Sequence, residues 1–178
     1  MVRRHVEVEG SAARPIRRSG RRRVVLASVV LALGVAAAAC GPVGDSPPGC
    51  PAGPPDAFSS TIVNRVNADR RAGGMGAVGW SGRLACLAGD ASARMAASGR
   101  LVHTDLDATI RSPGYEGYTR LAENVLTGSQ TLSGDAAHDL WMSSPPHRAN
   151  VLGDVTAIGV AWARSADGRF WAAEELGR

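Results

Sequence analysis

A chain of 178 residues with 44% hydrophobic and 20% charged side chains has the length and balance of a single globular domain. The formal charge of +4 is misleading, because residues 1–23 hold eight arginines against Glu7 and Glu9, a surplus of six that leaves residues 24–178 at −2. A slightly acidic domain without a single lysine lacks the footprint of a nucleic-acid binder, and that class is excluded.

Arg17-Arg18 and Arg21-Arg22-Arg23 precede an apolar run over residues 24–39 that ends in Ala37-Ala38-Ala39-Cys40-Gly41. Charge, apolar run and small residues in that order predict a signal peptide over residues 1–39, and sixteen residues fall short of the ~20 that a spanning helix needs. Two processing routes stay open. Ala37 and Ala39 suit ordinary signal peptidase, whereas small residues before Cys40-Gly41 resemble a bacterial lipobox, with Ala37 where leucine is usual. The arginines also resemble a twin-arginine signal, so the export route is open as well. Cysteine parity favours lipid on Cys40. That leaves Cys50 and Cys86 as one disulfide in an exported chain.

Residues 41–55 contain six prolines and four glycines, which predicts an extended linker over 40–55 at ~3.1 Å per residue, able to hold a domain off a membrane surface. The domain proper is expected over 56–178. Its first helix follows Asp56, buries Phe58, Ile62, Val63 and Val66, and ends at Gly73-Gly74. A second runs from the N-cap Ser81 to Ser98, with Gly99 as its stop. Leu84, Ala88, Ala91 and Met95 form its buried face. Cys86 lies about 200° from Leu84 on the helical wheel and looks outward, toward where the Cys50 tail can cross. Gly79-Trp80-Ser81-Gly82 is no nucleophile elbow, because Arg83 stands where the last glycine belongs.

His103 follows helix two, and residues 104–118 read as an irregular excursion around it. Leu121-Ala122-Glu123-Asn124-Val125-Leu126 reads as a strand. A lone buried carboxylate costs several kcal/mol, so Glu123 must face histidine, arginine or metal. Asn124 reads as a tie between backbone groups. Ser133 caps a third helix that buries Ala137, Leu140 and Trp141 and leaves His138 solvated. Pro145-Pro146 ends that helix at Ser144 and sets His147 on a rigid turn. Residues 157–163 and 169–176 flank Asp167-Gly168 and predict a hairpin, its first strand apolar on both faces and therefore covered by helices on both. Glu174 and Glu175, near the C-terminus, read as edge charges. The expected fold is α+β, a three-layer α-β-α sandwich with a small antiparallel sheet.

Trp141-Met142-Ser143-Ser144-Pro145-Pro146-His147-Arg148-Ala149-Asn150, with Ala122-Glu123-Asn124 and His103 upstream, resembles the CAP superfamily: cysteine-rich secretory, venom-allergen and pathogenesis-related proteins and a bacterial SCP-like extracellular branch. The resemblance runs from about Phe58 to Gly177 and implies the same sandwich. In that family two histidines and two glutamates share a cavity that in some members holds a divalent metal. The resemblance places His103, Glu123 and His147 there, as a set for zinc or, in a hydrolase, as catalytic groups. Ser144 stands at the position of the second glutamate. Three classes follow: an envelope-anchored, monomeric binding module for a small apolar or glycan-like ligand, which is preferred; a metal-assisted hydrolase of cell-wall or peptide substrates; and a structural surface protein.

Overall fold

The structure is a computed structural model that describes residues 6–11, as the backbone of strand β1 (Val6–Ser11), and residues 46–178. The expected signal cleavage site, Cys40 and the start of the linker lie outside the described residues. Strand β1 falls within the stretch read as export signal. It pairs antiparallel with β3 (Leu121–Gly128), whose outer edge would otherwise present unpaired backbone groups.

Local signals set the helices where the sequence predicts them. Asp56 accepts the backbone N–H of Ser59 at 2.8 Å and opens α1 (Ala57–Ala72). Two-residue β2 (Gly79–Trp80) leads to Ser81, which caps α2 (Gly82–Ser98), and Gly99 closes that helix with φ +65°, a conformation that only glycine adopts cheaply. A short α3 (Leu106–Thr109) lies inside the expected irregular excursion. After α4 (Gly134–Ser143) the two prolines start a further helix, α5 (Pro145–Val151), instead of a simple turn, because proline fits the first helical positions, where no N–H partner is needed. Strands β4 (Ala157–Arg164) and β5 (Phe170–Gly177) make the predicted hairpin, with Gly168 at φ +83°.

The sheet order is β1-β3-β5-β4-β2, antiparallel except for the short β2–β4 pair, so the sheet is mixed. Strand β5 is its centre. On one face Ala122, Leu126, Phe170, Ala172 and Leu176 pack with Ile62, Val66, Ala137, Trp141 and Val151 of α1, α4 and α5. On the other, Val125, Trp171 and Ala173 pack with Ala88, Ala91 and Met95 of α2. These are the three layers that the sequence predicts. Strand β4 is covered only in its first half, since its far end alternates toward solvent at Trp162 and Arg164.

Two expectations change. Segment 46–55 does not stand clear of the domain: Cys50 is joined to Cys86, and Trp80 Nε1 donates to the carbonyl of Pro51 at 2.9 Å. His138 is fully buried rather than solvated, with Nε2 2.7 Å from Asp69 Oδ2, because α4 packs that side against α1. Arg70 is buried and donates to the carbonyls of Gly76, Val151, Gly153 and Val155 at 2.8–2.9 Å, tying α1 to the connection between α5 and β4.

Candidate functional site

Helix α2 stops at Gly99, and the chain then returns along β3, bringing His103 and Thr104 over Glu123. The contact is close: His103 Nδ1 lies 2.6 Å from Glu123 Oε2. Thr104 adds its backbone N–H to the same oxygen at 3.0 Å and its hydroxyl to Oε1 at 2.7 Å. Arg94 donates to Thr104 Oγ1 at 2.9 Å, so a chain of hydrogen bonds runs from helix surface to buried acid. Glu123 is wholly buried, whereas His103 keeps 20% of its side chain exposed.

Glu123 stands directly opposite Glu175 in the β3–β5 register, which turns both side chains to the α2 face. Glu175 is fully buried too, and the two carboxyl groups face each other's charge. One of them must therefore hold a proton. Burial, then the charge of Glu123, pushes Glu175 well above the usual carboxylate range. Burial also acts to raise Glu123, but its hydrogen bonds, that to His103 foremost, outweigh it and hold Glu123 low. These opposed shifts place the proton on Glu175.

A second polar group lies across the sheet, because successive strand residues face opposite sides. Asn124 Nδ2 donates to Glu174 Oε2 at 2.7 Å and to the carbonyl of His147 at 3.3 Å, and Asn150 Nδ2 donates to Asn124 Oδ1 at 2.9 Å. Burial raises Glu174 to about 7, against the bond from Asn124. Asn124 is the tie that the sequence predicts.

Of the three residues that the resemblance places in one cavity, the structure brings His103 to Glu123 and holds the His147 backbone through Asn124. Among the described residues no three His, Cys, Asp or Glu side chains are placed to hold a metal ion. Glu123 uses both oxygens on His103 and Thr104, and the expected zinc set is not assembled among the described residues.

Sequence reasoning missed Glu175 and Glu174. Both are fully buried in the central strand, not edge charges. The signal was available: they stand between Ala172-Ala173 and Leu176, the same apolar setting that marked Glu123.

His103 also lines a cavity of about 520 Å³ together with Arg94, Met95, Ala97, Ser98 and Val102. The molecule is thus an α-β-α sandwich whose α2 layer backs a surface cavity and covers a buried carboxyl pair. The chain belongs to the cysteine-rich secretory protein, or CAP, family, whose model matches residues 63–174. Solved structures share the fold. An outer surface protein of Borrelia burgdorferi is 13% identical with a TM-score of 0.58, over 67% of this chain and 90% of its own. A cysteine-rich secretory protein of Staphylococcus aureus is 16% identical with a TM-score of 0.53, over 67% of this chain and 38% of its own. An extracellular SCP-domain protein of Bacillus anthracis is 23% identical with a TM-score of 0.56, over 68% and 40%. The present chain spans less than half the length of the last two. No curated protein matches it.

Proposed function

We propose that the protein is an exported, membrane-anchored CAP-domain binding module whose ligand occupies the cavity beside His103. The observation that carries this reading is the buried carboxyl pair. Hydrolysis by general acid–base catalysis needs ionisable groups within reach of substrate, but Glu123 and Glu175 are both fully enclosed. His103 alone of this group reaches the cavity, and it is held in one orientation by Glu123. A fixed imidazole on an otherwise satisfied wall orients a ligand at little entropic cost. The reading uses no metal.

Saturation-transfer NMR of the purified protein against small apolar compounds and saccharides should find ligands whose signal disappears in His103→Ala. Turnover of cell-wall fragments lost in that variant would assign the protein to the hydrolases instead. Heat of Zn²⁺ binding that is lost in both His103→Ala and His147→Ala would restore the metal set.

Anchoring is supported by the Ala-Ala-Ala-Cys-Gly junction and by the Cys50–Cys86 bond, which leaves Cys40 as the odd cysteine. Cys40→Ser should move the protein from the membrane to the soluble fraction. Unchanged partitioning, with a mature mass lacking acyl chains, would remove lipidation from the reading.

A further inference from the structure

We propose that Trp162 is the platform of a second binding site, for a glycan of β-linked pyranose sugars, on the sheet face opposite the cavity. The site stands apart from the cavity beside His103 and does not depend on it.

Strand β4 carries the ring past the edge of its helical cover. Ile158 and Val160 are buried in the cluster under α1, and the strand period of two puts Trp162 and Arg164 on that same face. Helix α1 starts here, since its cap Asp56 is bonded to Trp162, so the first pair is covered and the second is not. Trp162 is 38% exposed and Val102 is the one other large hydrophobic side chain so exposed among the described residues. Val102 lines the cavity. Trp162 lines nothing that the cavity reading uses.

The ring is fixed before any ligand arrives. It stacks on the buried Phe170, with centroids 5.4 Å apart and planes at 25°, and Phe58 meets Phe170 edge-on at 5.3 Å. Its Nε1 donates to Asp56 Oδ2 at 2.9 Å. Stack and hydrogen bond together hold one rotamer, and the face turned away from Phe170 is left to solvent.

The surroundings select a sugar. An aromatic face is negative, and a pyranose with equatorial substituents presents a flat set of axial C–H bonds that matches it. The hydroxyls of that sugar need acceptors and donors at the rim of the ring. Asp56 is the acceptor: burial acts to raise its carboxyl, but the bonds from Ser59 and Trp162 outweigh that and hold it below the usual range. Arg164 is the donor, two residues and about 7 Å along the same face. It is held by the carbonyl of Gly168 at 3.0 Å and by the Thr131 hydroxyl, which leaves further guanidinium N–H groups for a ligand. A purely apolar ligand would strip water from both charged groups and replace none of it. A proline-rich peptide needs a groove between aromatic side chains, whereas Phe170 is fully buried and Trp162 offers a single open face.

The test uses the indole N–H signals of Trp80, Trp141, Trp162 and Trp171 in nitrogen–proton NMR of the purified full chain. Cellotetraose should move the Trp162 signal alone, with a dissociation constant on the order of 1 mM. Sorbitol, which has hydroxyls but no ring face, and oligoproline should leave it in place. Trp162→Ala should weaken cellotetraose about tenfold or more, and Trp162→Phe, which keeps a cover on Phe170, only about threefold. Arg164→Ala should also cost about threefold, the value of one exposed hydrogen bond. Thermal melts check that the variants fold. A Trp162 signal that ignores cellotetraose, or follows sorbitol equally, overturns the proposal. Movement with oligoproline alone overturns it as well and assigns the face to peptide. Shifts confined to His103 and Val102 would place the sugar in the cavity, against this site and in favour of the cavity reading.

Discussion

Glu174→Gln is expected to leave stability nearly unchanged at pH 5 and to make the protein more stable than its parent by roughly 3 kcal/mol at pH 9. The sign follows from proton binding. Burial raises Glu174 from 4.5 to about 7 in the folded chain, so the folded state holds its proton longer than the unfolded state does. Stability from that group is complete below pH 4.5 and is lost as pH rises through about 7. Glutamine resembles the protonated acid and has nothing to lose. Glu175→Gln should act in the same direction and from a higher pH, since Glu175 is raised well above the usual range by burial and by Glu123. Glu123 works oppositely, because its folded value is lowered and its contribution disappears as pH falls. The parent should therefore be most stable in weakly acidic solution. Calorimetric melting from pH 5 to 9 checks this. Curves for parent and both variants that run parallel would show that the two acids are not buried as described.

Gly159→Ala is expected to cost roughly 3 kcal/mol or more, at the upper end for overpacking, because the collision is with backbone that cannot rotate away. A Cβ on Gly159 would lie 2.1 Å from the backbone nitrogen of Ala85 and 2.2 Å from the carbonyl carbon of Leu84. Helix α2 approaches β4 this closely only over a residue without a side chain. Gly159 also pairs with Glu175 in the β4–β5 register, so lifting α2 would loosen the cover over the carboxyl pair. Gly89→Ala is the control. Its Cβ would meet Ala161 Cβ at 3.9 Å, an ordinary contact, and alanine inside a helix should be neutral or stabilising by ~0.5–1 kcal/mol. Urea midpoints for the two variants separate the cases. A midpoint for Gly159→Ala equal to that of the parent would mean that α2 and β4 are not in such close approach.

The sequence by itself determined the features that depend on near neighbours in the chain. The caps at Asp56 and Ser81, the stop at Gly99, the Asp167-Gly168 hairpin and the end of α4 before Pro145 all follow from backbone chemistry within a few residues. Glu123 was legible as well, since an acid in an apolar run announces a partner, and so was the Cys50–Cys86 pair, from parity and helical phase. Tertiary structure alone decided which strand is central. Strand β5 is last in the chain but lies between β3 and β4. That placement turns Glu174 and Glu175 from apparent edge charges into buried acids, one on each face. The same holds for His138, buried because α1 covers it, and for Arg70, whose carbonyl partners at Val151, Gly153 and Val155 lie about eighty residues away. It also set Glu175 opposite Glu123, beside His103, and tied the His147 backbone to Asn124. A strand's own sequence shows its period of two but not how many neighbours it has or which layers cover it, and the burial of a charge depends on those neighbours.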